Sequence, residues 1–141
     1  MNRQLKFRVW DKLAERMIYP HNDNQQHFII DLNGRFHNLQ NGSGGDDYVI
    51  QQYTGLNDSN GKEIYEGDIV KEHHFEDWGD EIGYEYIGIV VYKVCSDDIL
   101  FAGYKTIAAK NQNIKFSGNA IQSDCEVIGN IFENPELLKT I

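Results

Sequence analysis

The fold is decided by residues Gln51–Lys71, which read QQYTGLNDSNGKEIYEGDIVK. A polar segment, Asn57–Lys62, separates two segments with strand character, Tyr48–Tyr53 and Glu63–Tyr65. Asn and Asp side chains bond the backbone two residues further on, and a Gly after Asn accepts the positive φ of a tight turn. The chain is therefore predicted to reverse direction within the polar segment and to enter a sheet again at Ile69.

Two hairpins are predicted before this stretch, the first from alternating apolar and polar residues and the second from its turn. In the first, residues 6–10 pair with 16–19, and Pro20 ends the returning strand. In the second, residues 28–32 pair with 35–39 through Asn33-Gly34, a dipeptide favoured in type I′ turns. Residues 41–47 are small and polar, so we expect them to form a mobile loop that does not pack.

The second half of the chain also has strand character. Residues 72–85 are its most polar stretch and are predicted to form a long loop between strands at 69–70 and 86–94. Further strands are expected at 99–104, 114–116 and 126–132, and residues 105–113 fit either a strand or a helical turn. Asn134-Pro135-Glu136 has the chemistry of a helix start, which predicts one or two turns of helix at the end.

Composition favours a soluble β-rich protein with one compact domain or two small ones. Of the 141 residues, 40% are hydrophobic and 12% aromatic, with 13 Gly and two Pro. No apolar run reaches the length of a membrane span and no signal-peptide core is present, so we expect a cytoplasmic protein.

Charge argues against a general phosphate-binding surface, because the formal net charge is −9. The charges are unevenly distributed. Residues 1–16 hold five basic and two acidic residues, whereas residues 63–86 hold nine acidic residues and a single Lys. This asymmetry fits either an acidic face of one copy against a basic face of another, or two solvated surfaces.

No motif predicts catalysis, a metal or a cofactor. Possible metal ligands cluster at His73, His74, Glu76, Asp77, Asp80 and Glu81. Adjacent histidines point to opposite sides of a strand and no zinc spacing is present, so a solvated charged surface is the preferred interpretation. The chain has no Gly-x-Ser-x-Gly motif, and its two cysteines, Cys95 and Cys125, have no nearby His and are expected to be small buried residues.

Exposed aromatic side chains beside charges favour protein binding instead. The candidate partner-binding residues are Phe75, Glu76, Asp77, Trp78, Asp80 and Glu81 in the acidic loop, with Arg8 and Trp10 near the start. The alternative is that Trp10 covers the N-terminal core and that Trp78 folds back over the second half.

Three segments resemble the YopX family of phage and prophage proteins. They are Gln52–Leu56 with Asp58 and Asn60–Val70, then Lys6–Asp11 with Met17–Tyr19, and finally Glu126–Leu138. The resemblance covers nearly the whole chain except residues 72–122. It implies a small cytoplasmic β-rich protein whose C-terminal part is an SH3-type barrel, and it provides no catalytic or ligand-binding residues to transfer.

The sequence thus predicts a mainly β protein. N-terminal β-hairpins would occupy residues 1–47, and residues 48–141 would form an SH3-type small barrel ending in a short helix. We expect a non-catalytic phage or prophage protein that binds a host protein or itself as a homo-oligomer. The alternatives are an SH3-like module associated with nucleic acid, and an acidic mimic that occupies a host DNA-binding protein.

Overall fold

A computed structural model describes residues 4–23, 26–74, 84–95, 101–108 and 125–138. The predicted mainly β class is confirmed: the described residues form strands and short 3-10 helices, with no helix of seven or more residues, and one sheet curls into a half barrel. The strands are β1 Phe7–Asp11, β2 Arg16–Ile18, β3 Phe28–Ile30, β4 Phe36–Asn38, β5 Tyr48–Asn57, β6 Glu63–Tyr65, β7 Asp68–His74, β8 Tyr84–Cys95, β9 Phe101–Ala108 and β10 Glu126–Asn130. The 3-10 helices are Pro20–Asn22, Gly45–Asp47 and Pro135–Leu138.

The chain divides into two compact units, Met1–Tyr53 and Thr54–Ile141, here called the first and the second unit. The division falls inside β5, a ten-residue strand. The domain limit predicted at residue 47 coincides with the start of this strand, and the assignment of two domains stays a prediction.

The core of the first unit is built around Val9 in β1. Val9 lies opposite Ile18 of β2 on one side and opposite Ile50 of β5 on the other, in antiparallel register. Val9, Ile18 and Phe36 are buried together, with Phe28, Ile30, Tyr48 and Ile50 packed against them. The apolar positions at period two therefore supply this core, as the alternation in the sequence indicates.

The turn between β3 and β4 differs from the predicted type. A type I′ turn requires positive φ at both central residues, but of Asn33 and Gly34 only Gly34 has it, at 79°. The amide of Gly34 donates to the carbonyl of Asp31 at 2.9 Å, and the amide of Asp31 donates to the carbonyl of Arg35 at 2.9 Å. The connection is therefore a three-residue loop closed by Gly34 in the left-handed region, which is why each strand is shorter than predicted.

Residues 41–47 pack against β4, so the expectation that this loop does not pack is wrong. The amide of Asn38 donates to the carbonyl of Ser43 at 2.8 Å, and Gly44 forms a β-bridge with His37. A side chain on Gly44 would overlap the carbonyl oxygen of Phe36, so glycine allows this close approach. Small residues here permit packing of backbone on backbone.

The second unit contains a four-stranded antiparallel sheet in the order β10-β7-β8-β9. Its buried cluster comprises Ile64, Val70, Val90 and Cys125, with Val127 against it, so the expected burial of Cys125 is confirmed. Of the predicted loop 72–85, residues 72–74 belong to β7 and residues 84–85 to β8, while residues 75–83 lie outside the described residues. Glu72, expected in that loop, is only 1% exposed.

Other predicted boundaries in the second unit also change. Residues 105–108, left open between strand and helix, belong to β9. The predicted strand 114–116 lies outside the described residues. The C-terminal helix is a single 3-10 turn, Pro135–Leu138. The side chain of Asn134, expected to cap that helix, instead accepts a hydrogen bond from the amide of Asn130 at 3.2 Å.

Two acidic residues of the Gln51–Lys71 stretch, Asp58 and Asp68, stabilise the fold by accepting hydrogen bonds from backbone amides. Asp58 accepts hydrogen bonds from the amides of Asn60 at 2.9 Å and Lys62 at 2.8 Å through Oδ1. Its Oδ2 accepts from the amide of Val127 in β10 at 3.0 Å. Asp68 likewise accepts from the amide of Tyr65 at 2.8 Å. Both carboxylates are buried, so their place in the sequence is explained by backbone hydrogen bonding.

Candidate functional site

The predicted binding residues fall into two groups. Phe75, Glu76, Asp77, Trp78, Asp80 and Glu81 lie outside the described residues, so their partner-binding role stays a prediction. Arg8 and Trp10 lie in β1 and are 3% and 9% exposed, which leaves little of either side chain for a partner to contact. The Nε of Arg8 donates to Oε1 of Gln51 at 2.8 Å. Trp10 is buried but is not part of the cluster of Val9, Ile18 and Phe36, so the alternative that it covers the N-terminal core stays a prediction.

Within the residues that the structure covers, there is neither a candidate metal site nor a helix that could span a membrane. No group of three or more His, Cys, Asp or Glu side chains in those residues is arranged to hold a metal ion. None of the helices there has both the length and the apolar character needed to cross a membrane.

An apolar surface lies on the outer face of the β3–β4 pair. Phe28, Ile30 and Phe36 pack toward the core of the first unit. Because successive side chains of a strand alternate, Ile29, His37 and Leu39 share the opposite face. Ile29 is 44% and Leu39 59% exposed. This outer face therefore presents two apolar side chains beside His37.

The backbone of β3 has an unpaired edge in the part of the chain that the structure describes. Backbone hydrogen bonds join Leu39 to His27 and Asp31 to Arg35, which places positions 27, 29 and 31 toward β4. Phe28 and Ile30 consequently direct their N–H and C=O groups away from β4. The sheet contains β3 and β4 alone among the described strands. The N–H and C=O groups of Phe28 and Ile30 therefore form an edge with which no described strand pairs.

The loop beside this surface is held by Asp31. Its Oδ1 accepts from the amides of Asn33 at 2.9 Å and Arg35 at 3.0 Å, and its Oδ2 lies 2.9 Å from Nε2 of His37. The hydrogen bond from His37 is the main cause that lowers the pKa of Asp31, and the backbone amide of Arg35 adds to it. The loop is thus ordered by an ionised carboxylate.

We expect His37→Ala to raise the pKa of Asp31 toward its ordinary value, measured by NMR titration of the carboxyl carbon. A lowered pKa in the folded state stabilises the fold above the unfolded-state pKa, and this contribution is lost as pH falls below about 4. His27→Ala is the control, since His27 pairs with Asp23 at 3.2 Å. An unchanged Asp31 titration in His37→Ala would contradict the role of His37.

A cleft of about 480 Å³ lies in the first unit, between the β3–β4 loop and the start of β5. Tyr48 and Ile50 form its apolar part, and the ring of Tyr48 lies 4.6 Å from that of Phe36, which is buried behind it. The exposed residues Lys12, Arg35 and Asp46 supply its charges. Two cations and one carboxylate give the cleft an excess of positive charge.

Local structure places both cations in the cleft. The amide of Lys12 donates to the carbonyl of Asp47 at 2.9 Å, which joins the end of β1 to the 3-10 helix Gly45–Asp47. A Cβ atom on Gly45 would lie 3.3 Å from Nη2 of Arg35, so the guanidinium group passes close to this backbone. Neither Lys12 nor Arg35 forms an ion pair with another described residue.

Sequence reasoning missed both surfaces of the first unit. The signal for the outer face was present, because Ile29 lies between two core positions of β3 and so must point outward. No signal indicated the cleft. Its residues come from the end of β1, the β3–β4 loop and the start of β5, and only the folded chain brings these three segments together.

The strands define a small, mainly β protein. Two buried acidic residues, Asp58 and Asp68, stabilise its fold. The chain belongs to the YopX family: the family model described as YopX protein matches residues 6–139. The chain is also similar to protein EF1440 from Enterococcus faecalis. That crystal structure is 27% identical, covers 97% of this chain and 99% of its own, and gives a TM-score of 0.51. Comparison with curated proteins gives no match.

Proposed function

We propose that this chain is a cytoplasmic phage or prophage protein that acts without catalysis by binding protein, and that its partner is a second copy of itself or a host protein. The observation that carries the proposal is the outer face of the β3–β4 pair. It combines an unpaired strand edge with the exposed side chains of Ile29 and Leu39. Strand addition at such an edge supplies affinity through backbone hydrogen bonds, and neighbouring apolar side chains add specificity.

We further propose that N-terminal hairpins and a C-terminal SH3-type barrel are the two structural parts of this module. The antiparallel pairing of β1 with β2 and of β3 with β4 supports the hairpins. The antiparallel order β10-β7-β8-β9 supports the barrel. An experimental structure in which β9 or β10 closes onto a further strand of the second unit would establish the barrel.

The self-association arm predicts a change in mass. We expect the wild-type chain to form an oligomer that persists at 0.5 M NaCl, because apolar contacts and backbone hydrogen bonds are not screened by salt. The double variant Ile29→Lys and Leu39→Lys should be monomeric, since a lysine on the edge strand β3 opposes strand pairing and a lysine at position 39, just after β4, removes the neighbouring apolar contact. Sedimentation velocity at several protein concentrations measures both.

Leu13→Lys is the matched control for this experiment. Leu13 is 79% exposed and lies outside the β3–β4 pair, so its replacement should leave the oligomer intact. A wild-type chain that is monomeric at low and at high salt contradicts self-association. An oligomer that survives the double substitution contradicts the assignment to this face.

A second candidate function is mimicry of nucleic acid by the acidic unit. The first unit holds six Lys and Arg against six Asp and Glu, whereas the second unit holds seven against sixteen and so carries the whole formal charge of −9. A concentrated negative charge attracts DNA-binding proteins through the forces that DNA uses. Displacement of duplex DNA from a host DNA-binding protein by the intact chain would favour mimicry over self-association.

A further inference from the structure

We infer that the cleft of the first unit binds an acidic-aromatic peptide segment, and that its occupant is the segment Phe75–Glu81 of a second copy of this chain. The inference rests on the proposed protein-binding function and names a second contact for it. The cleft is separate from the outer face of the β3–β4 pair. Attraction between opposite charges would drive binding in the cleft, whereas apolar contacts and backbone hydrogen bonds would drive it at the outer face.

The cleft supplies the receiving chemistry. The half-buried side chains of Tyr48 and Ile50 offer an apolar surface with one aromatic ring, while Lys12 and Arg35 lie exposed beside it. Neither cation is in an ion pair within the described part of the chain, so both are available to a carboxylate. Arg presents its donors in a planar fork that matches a carboxylate, and Lys adds a point charge.

The segment Phe75–Glu81 supplies the complementary chemistry, as its sequence is Phe-Glu-Asp-Trp-Gly-Asp-Glu. In an extended peptide alternate side chains share a face about 7 Å apart. One face of an extended segment would therefore present Phe75 with Asp77 and Glu81, and the other Trp78 with Glu76 and Asp80. Either face offers one ring for the apolar part of the cleft and two carboxylates for its two cations.

Asp46 favours a peptide over nucleic acid as the occupant. This carboxylate is exposed in the same cleft as Lys12 and Arg35 and would repel a continuous row of phosphates. A peptide with separated carboxylates can place them on the cations and keep its backbone N–H groups near Asp46. In the chain's own acidic segment Trp78-Gly79 separates two pairs of carboxylates, and the charge of the segment is opposite to that of the cleft.

A labelled peptide of residues 73–83 tests the inference by fluorescence anisotropy against the full-length chain. We expect saturable binding that weakens about tenfold or more in the double variant Lys12→Glu and Arg35→Glu, and that also weakens as NaCl rises from 50 to 300 mM. The control double variant Arg16→Glu and Lys71→Glu has the same change in net charge. Arg16 and Lys71 are not among the residues that line the cleft, and each forms only a long ion pair, of 3.9 and 3.8 Å, so binding should be retained.

Mixing two full-length variants tests whether the contact joins two copies. The chain with Lys12→Glu and Arg35→Glu should not associate salt-sensitively alone, nor should the chain with Glu76→Lys and Asp77→Lys. Equimolar mixing should restore a salt-sensitive complex, because the unchanged cleft of the second variant then meets the unchanged acidic segment of the first.

Three results would overturn the inference. They are equal peptide affinity for wild type and the cleft variant, no complex on mixing, and single-stranded DNA that binds through Lys12 and Arg35 while the peptide does not. Its failure is distinguishable from that of the proposed outer-face contact. The chain with Ile29→Lys and Leu39→Lys should still bind the peptide, and outer-face association should persist at high salt.

Discussion

Replacing Phe36 by Ala should lower the free energy of unfolding of the first unit by about 4 kcal/mol. The Phe36 side chain is 1% exposed, and its ring lies 5.7 Å from that of Phe28 and 4.6 Å from that of Tyr48. Truncation leaves a cavity between two rings that neighbouring strands hold in place. Urea denaturation in a Trp78→Phe background measures the loss, because Trp10 then reports on the first unit alone.

Leu32→Ala is the control for this experiment. Leu32 is fully exposed in the loop that precedes β4, so its truncation should change the free energy of unfolding by less than about 0.5 kcal/mol. A loss below about 1 kcal/mol for Phe36→Ala would show that this ring does not anchor the core. Since the two units need not unfold together, the transition should be followed by Trp10 fluorescence and by circular dichroism in parallel.

Replacing Asp58 by Ala should destabilise the second unit by about 3 kcal/mol. The change removes three hydrogen bonds from backbone amides, including the one from Val127 that ties the Asn57–Lys62 turn to β10. These hydrogen bonds are partly buried, so an amide left without its acceptor adds a desolvation cost to the lost bond. Hydrogen exchange at the amides of Lys62 and Val127 should accelerate, and denaturation followed by circular dichroism should shift to lower urea.

Asp58→Asn separates the charge of this side chain from its shape. The amide retains one acceptor oxygen but loses the second, so we expect about half the destabilisation of the alanine variant. Burial alone raises the pKa of Asp58, but hydrogen bonds from the amides of Val127, Lys62 and Asn60 outweigh burial and hold the pKa below its ordinary value. The wild-type advantage over Asp58→Asn should therefore shrink as pH falls below about 4. A pH-independent difference would contradict this account.

The local sequence pattern correctly predicted the β class and many of the strands, but it did not predict where the strands begin and end. Residues 7–9 alternate between apolar and polar, residues 28–30 are a short apolar run before Asn33-Gly34, and both segments pair as predicted. The β3–β4 loop was assigned the wrong turn because Asn33-Gly34 fits two loop lengths, and the choice depends on the hydrogen bonds of Asp31. Glu72 was placed in a loop because it is charged. In the structure it is buried in β7, a burial that composition cannot reveal.

The candidate site was less predictable, for two physical reasons. Arg8 was predicted to contact a partner, because arginine is rarely buried unless it is paired. In the structure Arg8 is buried, and Gln51, which accepts a hydrogen bond from it, lies 43 residues away in the sequence. The cleft required knowledge of how residues 41–47 fold, and these were expected not to pack. Once Gly44 reaches Phe36, the following 3-10 helix carries Asp46 to the rim of the cleft. Neither contact leaves a local signature.

The pairing of β10 with β7 also bears on how the protein is made. The carboxylate of Asp58 accepts a hydrogen bond from the amide of Val127, which is synthesised 69 residues later. While translation proceeds, β7 keeps one edge unsatisfied until residue 130 has left the ribosome. Ribosomes that stall or terminate within this interval would release chains with an open, adhesive strand, which makes the interval the period of greatest risk of aggregation during synthesis.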